Sequence, residues 1–405
     1  MTRLASVFDA PSRMSTPLSA RPGIRVGRPL LAALCLAACA VAQAQPVAPQ
    51  ETPMPYYSAA QVLRGLYNQH LPVQAARFLQ ASQAQEQAVA SWCSSAGGSS
   101  RPNAAAVRTS WREALNAWLQ LSTPSVGPLV VRRSLRQIDF TPIRPQLIER
   151  AIAKAPASPA DMELVGTPAK GFGALDWLLT KGLKPSSAEC AYAGQVAQAI
   201  TREAQGIAND LKAMQNTPWN APSQAEEVDP DSAQATKAAE ETGAAMAEWV
   251  NQWLGGLERL RWAQMEKPVK AVEGSSKPAA YARQALADNV TDWQTQWQAL
   301  QHQALLKPEQ RQTPPDSDKE VLPIEALLLG KGQIKLAQRW REVSGAADTA
   351  LRALRAGSAP SARDTRMNAA VLNAAAKLKA ITALYQSEVA PALDIPLGFS
   401  DADGD

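Results

Sequence analysis

From Tyr57 onward, apolar residues recur every three or four positions and polar residues fill the gaps, the signature of amphipathic helices. SAAQVLRGLYNQHLPVQAARFLQASQAQEQAVASW sets Val62, Leu66, Val73 and Phe78 at helical intervals, with a kink expected at Pro72. CSSAGGSSRPN interrupts the pattern, and Asn103 is placed to cap the next helix, AAAVRTSWREALNAWLQLS. There Trp111, Leu115 and Trp118 fall on one face as i, i+4 and i+7. Gly127-Pro128 and Pro142 punctuate the following stretch, and further helices are predicted over 168–181 and 187–214. In the second half, AAMAEWVNQWLGGLERLRWAQ repeats Trp249, Trp253, Leu257 and Leu260 along one stripe. YARQALADNVTDWQTQWQALQHQALL repeats Val290, Trp293, Trp297 and Leu300, and two more helices are predicted near 333–355 and 364–390.

The pattern predicts an all-α protein in two helical halves. Residues 45–56 read as a flexible lead-in, 57–215 as an N-terminal bundle, 235–392 as a C-terminal bundle and 393–405 as a tail. The linker between the bundles is assigned to 216–234, NTPWNAPSQAEEVDPDSAQ, whose proline, asparagine and acid content cannot support a core helix. A second polar, proline-bearing loop covers 307–320. GALDWLLTKG and PIEALLLGKG hint at an internal duplication, since each sets an acid before a leucine-rich turn and a Lys-Gly.

Composition agrees with helices: alanine is frequent and β-branched residues are few. The net charge of +4 belongs to the N-terminus. Residues 1–44 hold five of the 41 basic and one of the 37 acidic residues, so the remainder balances at 36 of each. A nucleic-acid partner requires an excess of cations to displace counterions from phosphates, and this chain has none beyond its start.

RPGIRVGRPLLAALCLAACAVAQAQ has the parts of a secretory signal. Arg21, Arg25 and Arg28 flank an apolar run from Pro29 to Val41, and Ala42-Gln43-Ala44 is a small-residue cleavage site, making 1–44 a signal peptide. Leu36-Ala37-Ala38-Cys39 also fits a bacterial lipobox, in which Cys39 is acylated and anchors the chain without a transmembrane helix. Either route predicts secretion across the inner membrane, to the periplasm or an outer-membrane lipoprotein. No later stretch reaches about 18 consecutive apolar residues, the length a span requires. Cys93 and Cys190 are then an even pair in an oxidising compartment and are expected to form a structural disulfide.

Candidate chemistry is sparse. The only histidines, His70 and His302, lie outside any H-E-x-x-H spacing and are expected on the surface or at helix flanks. G-x-S-x-G and Gly-rich phosphate loops do not occur. The eleven tryptophans at helical spacing fit bundle core better than a stacking platform. Asp401, Asp403 and Asp405 lack the later ligands of a calcium loop and read as a solvated tail. KGFGALDWLLTKG is the exception, because it sets Asp176 among Phe172, Leu175, Trp177 and Leu179. An acid on an apolar face needs a partner. Two readings stand: a salt bridge to an arginine of its own half, or a carboxylate at the mouth of a ligand cleft.

Taken together, VRTSWREALNAW followed by VGP, RQIDFTPIRPQLIERAI, GTPAKGFGALDWLLTKG and VAPALDIPLGFSDADGD resemble the imelysin family of bacterial envelope proteins. The resemblance covers nearly the whole chain after the leader. It implies two helical bundles packed around a shared cleft, a candidate ligand cleft at Gly171, Gly173, Asp176 and Trp111, and a role in iron uptake or in peptide cleavage. The family's G-x-H-x-x-E motif puts two metal ligands on one helix face. Here Gly173 stands at the histidine position and Asp176 at the glutamate position. The nitrogen ligand is lost and the carboxylate is shortened by one methylene. This points to a binding protein without peptidase activity, with Asp176 left as a weak, oxygen-only candidate ligand for a divalent or iron cation. Envelope iron-transport proteins are the implied partners. The alternatives are a metallopeptidase and a scaffold that kept the fold and lost the metal.

Overall fold

Local sequence signals set the helix ends. In the computed structural model, Ser58 opens the first helix with a reciprocal capping box: its hydroxyl accepts from Gln61 N–H while the Gln61 side chain accepts from Ser58 N–H. Ser187 caps another helix by accepting from Cys190 N–H at 3.1 Å. Gly182, at φ 88°, ends the helix that carries Asp176 in the left-handed conformation glycine favours.

The structure describes residues 52–95, 104–217, 219, 233–275, 277–355 and 365–395. Among them there are helices and no strands. The chain divides into two units, Met1–Pro49 and Gln50–Asp405, and every described residue belongs to the second. The leader with Cys39, the capping position Asn103, most of the 216–234 linker and the terminal aspartates lie outside the described residues.

In order, the first half contains α1 (Ala59–Leu63), α2 (Leu71–Cys93), α3 (Ala104–Leu121), α4 (Pro128–Val131), α5 (Ser134–Ile138), α6 (Pro145–Lys154), α7 (Pro159–Glu163), α8 (Gly171–Lys181) and α9 (Ala188–Met214). The second contains α10 (Ala233–Glu258), α11 (Lys267–Lys270), α12 (Leu286–Ala304), α13 (Pro308–Gln312), α14 (Ile324–Gly330), α15 (Ile334–Ala353), α16 (Thr365–Leu384) and α17 (Ala390–Ala392). The first helical run does not break at Pro72. A π-helical segment, Arg64–His70, joins α1 to α2 in one unbroken run, and Pro72 follows directly on it.

In the first group, α2 packs on α3 and α9, and α8 lies against α3 and α9. In the second, α15 pairs with α16, α12 packs on α10 and α15, and the π segment Arg259–Glu266 lies on α16. The groups meet where α3 packs on α12 and α1 on α10. One buried apolar cluster runs through both. The tryptophan stripes build it: Trp111, Trp118, Trp253 and Trp340 are fully buried, and Trp249, Trp293 and Trp297 nearly so. Their indole N–H groups mostly find acceptors, as from Trp253 to Leu300 C=O and from Trp340 to Ala304 C=O. Trp219, within the linker, packs on Tyr67 with ring centroids 5.2 Å apart. Cys93 and Cys190 are joined by a disulfide that ties the end of α2 to the start of α9.

Candidate functional site

The segment with Asp176 folds back on the loop that precedes it. Gly171 sits at φ 71°, and a Cβ there would lie 2.1 Å from the Ile138 carbonyl oxygen, so only glycine fits. A Cβ on Gly173 would lie 2.3 Å from Ile143 Cγ2. The space into which a side chain at position 173 would point is therefore filled by an isoleucine.

Asp176 is 1% exposed. Its Oδ1 pairs with Arg108 Nη1 at 2.7 Å, and its Oδ2 accepts from Gln284 N–H at 2.8 Å. Both oxygens are thus engaged, one by an arginine of the same half and one by the backbone of the other. Arg108 and Arg112 stand one turn apart on α3, and Asp288 and Asp292 one turn apart on α12. The two helices interlock through them: Arg108 Nη2 pairs with Asp288 at 2.6 Å, Arg112 with Asp288, and Arg112 Nη1 with Asp292 at 2.5 Å.

The network continues into buried territory. Arg283 Nε meets Asp292 at 2.6 Å, and its two terminal nitrogens form a fork onto Asp139 at 2.7 and 3.0 Å. Asn289 fixes the Arg283 backbone, accepting its N–H and donating to its C=O, each at 2.9 Å. Burial pulls the Arg283 guanidinium down, but Asp139 and Asp292 outweigh it and the net shift is upward, so this arginine stays charged. Arg259 lies in the field of Asp139, and burial lowers its pKa. Four arginines thus face four aspartates. Trp111 forms the floor: it is fully buried, donates its indole N–H to Phe172 C=O at 3.1 Å, and lies 4.4 Å from the Arg108 guanidinium and 4.7 Å from that of Arg112.

The second half has a parallel arrangement. Glu325, fully buried in α14, accepts from Leu306 N–H at 2.8 Å and pairs with Arg341 at 2.6 Å and Arg311 at 3.4 Å. Each of the two similar segments noted in the sequence therefore buries an acid that is held by an arginine and a backbone N–H.

The histidines lie at helix ends, as expected, but face each other: His70, at the end of the π segment, is half-buried and stacks on half-buried His302 in the last turn of α12, with centroids 5.1 Å apart and planes 26° apart. Helix packing joins two groups 232 positions apart, which no spacing rule anticipates. Burial, with smaller contributions from His302, Arg77 and Lys307, pushes His70 down to about 3, and burial also lowers His302.

Sequence reading missed Arg108, Arg112, Asp139, Arg283, Asp288, Asp292 and Ile143 as members of the Asp176 site. A signal was present for four of them. R-x-x-x-R in α3 and D-x-x-x-D in α12 each put two like charges one turn apart on one helix face, a complementary pair of stripes.

The family model Peptidase M75, Imelysin, matches residues 71–387. The chain belongs to the imelysin family. No curated protein matches it. Among solved structures, an imelysin-like protein from Psychrobacter arcticum 273-4 superimposes with a TM-score of 0.63 at 17% identity, covering 85% of this chain and 99% of that one. A protein of Parabacteroides distasonis ATCC 8503 described as an iron-regulated protein A precursor gives 0.61 at 17% identity, covering 84% and 97%. At such identity these matches establish the fold. The family's metal motif finds no fit at α8: Gly173 offers no ligand, Ile143 fills the space beside it, and both Asp176 oxygens are taken. Among the described residues, no group of three or more histidine, cysteine, aspartate or glutamate side chains is arranged to hold a metal ion. None of the described helices is long and apolar enough to cross a membrane.

Proposed function

We propose that this imelysin-family chain is a non-hydrolytic binding protein of the cell envelope that serves iron or other metal acquisition. One observation carries the loss of hydrolysis: the carboxylate that stands at the family's glutamate position is consumed by Arg108 and the Gln284 N–H. A cation placed there would face guanidinium groups instead of an imidazole, and a metal-bound water needs a cation to lower its pKa. The parallel bonding of Glu325 supports a structural role for Asp176, since two acids in similar segments are neutralised in the same way. The iron link is supported by the Parabacteroides distasonis protein, described as iron-regulated. The envelope location rests on the leader, and the two-bundle division with its linker at 216–234 rests on the sequence pattern.

The test is direct. The chain, incubated with a denatured protein substrate and saturating zinc, is expected to leave the substrate intact. Chelator-sensitive cleavage would establish the metallopeptidase reading. In the cell, mass spectrometry of the N-terminus separates a form starting at Gln45 from one acylated at Cys39, and a chain retaining its leader in the cytoplasm would refute the envelope assignment.

A further inference from the structure

Residues 52–70 lie along the proline-bearing segment 307–320 of the second half. Thr52 N–H donates to Arg311 C=O at 3.1 Å, and the Tyr57 hydroxyl donates to Pro315 C=O at 2.8 Å. Arg64 Nε faces Asp318 at 3.4 Å. A Cβ on Gly65 would lie 2.4 Å from the Glu320 carbonyl oxygen, so the two backbones touch there. The stretch ends on His70, whose ring stacks on His302 in the last turn of α12 with centroids 5.1 Å apart. The ring stack closes this contact at its C-terminal end.

The stack suits neutral rings. A proton on either ring sets a positive charge against its neighbour and against the cations around the pair. Arg77 of α2 and Lys307 act on His70, and Lys307 acts on His302 as well. Of the charged groups acting on the pair, only Glu320 favours a proton, on His302. Its carboxylate is already engaged, accepting from Gln310 Nε2 at 2.5 Å and from Asp316 N–H at 3.3 Å. His302 Nδ1 is buried without a partner, so a proton there would find no acceptor. Burial is the largest cause that lowers both rings from the ordinary histidine range, and the cations add to it.

We infer that residues 52–70 form an acid-releasable strap, docked on segment 307–320 while both rings are neutral and loosened when either ring gains a proton. The direction follows from proton linkage. A ring freed from the stack takes up its proton near the ordinary value of about 6.5, more readily than a stacked one. Above about pH 6.5 both rings are neutral in both states, and docking is at full strength. As the pH falls from there toward the lowered values of the stack, the opened state binds more protons. Its population rises by up to about tenfold per pH unit for each histidine. Ordinary carboxylates stay ionised down to about pH 5, so the window from pH 7 to pH 5 isolates the histidines. Release acts on residues 52–70 and leaves α2 tied to α9 through the Cys93–Cys190 disulfide. The inference lies apart from Asp176 and does not depend on the α8 reading.

The chain has only two histidines, so their titration can be read without a variant. In the full chain labelled with ¹³C at histidine, both ring resonances are expected to titrate below pH 6.5. Hydrogen exchange, corrected for its intrinsic pH dependence, should show the amides of Arg64–His70 opening at least about tenfold more at pH 5 than at pH 7, with those of α9 unchanged. The double variant His70→Phe, His302→Phe keeps two stacked rings without a titrating group, and the increase at pH 5 should vanish in it. A ring that titrates at or above pH 6.5 would overturn the proposal. So would exchange in Arg64–His70 that is the same at both pH values, or an increase that persists in the double variant. The first two readouts use the parent chain, so failure of the variant to fold does not shield the idea.

Discussion

Replacing Asp176 by asparagine removes a charge while keeping the side chain's size. Asp176 accepts two hydrogen bonds, from Arg108 at 2.7 Å and from Gln284 N–H at 2.8 Å. Asparagine has one acceptor oxygen and one NH₂ donor, so one of those partners must face a donor. Breaking a fully buried ion pair from one side costs about 3–5 kcal/mol. Two features reduce this. Arg108 is 32% exposed, and it keeps Asp288 at 2.6 Å. A loss of about 2–3 kcal/mol follows. Unfolding entropy near about 2.1 cal/mol/K per residue gives about 0.75 kcal/mol/K for the unit Gln50–Asp405. The expected fall in Tm is therefore about 3–4 °C, read by differential scanning calorimetry. In a double-mutant cycle, Arg108→Met combined with Asp176→Asn should cost less than the sum of the two, because each single change already breaks the same bond. A Tm within about 1 °C of the parent and strictly additive changes would refute the structural reading of Asp176 and return it to the ligand-cleft reading.

Two further outcomes follow from the same geometry. Gly173→Ala should destabilise by about 1–3 kcal/mol through its clash with Ile143 Cγ2, although alanine favours helices over glycine by about 1 kcal/mol; Ile143→Ala in the same chain should recover part of the loss, and denaturant titration reports both. Reducing the Cys93–Cys190 disulfide reopens a loop with a sequence separation of 97, so about 2–5 kcal/mol of stability should disappear; a reduced chain with an unchanged denaturation midpoint would show that α2 and α9 need no covalent tie.

Periodicity alone located most helices. Trp111, Leu115 and Trp118 are spaced for one face and are all fully buried. Ser187 caps α9 and Gly182 ends α8, since capping is local chemistry between residues a few positions apart. The absence of a side chain at Gly173 was likewise plain from the sequence, as was the unusual setting of an acid at Asp176. At Pro72 the structure adds what the periodicity did not show: a π-helical segment, Arg64–His70, directly before the proline.

What the sequence by itself determined, then, was the helical class, the apolar stripes and the degenerate metal motif, all properties of neighbours along the chain. Which charges would meet was a different question. Arg108 and Asp288 are 180 positions apart, Arg283 and Asp139 are 144 apart, and the two histidines 232. Charge attraction and ring stacking act over a few ångströms and carry no address in the sequence. Only tertiary packing put four aspartates against four arginines, set Ile143 beside Gly173, and brought His70 onto His302.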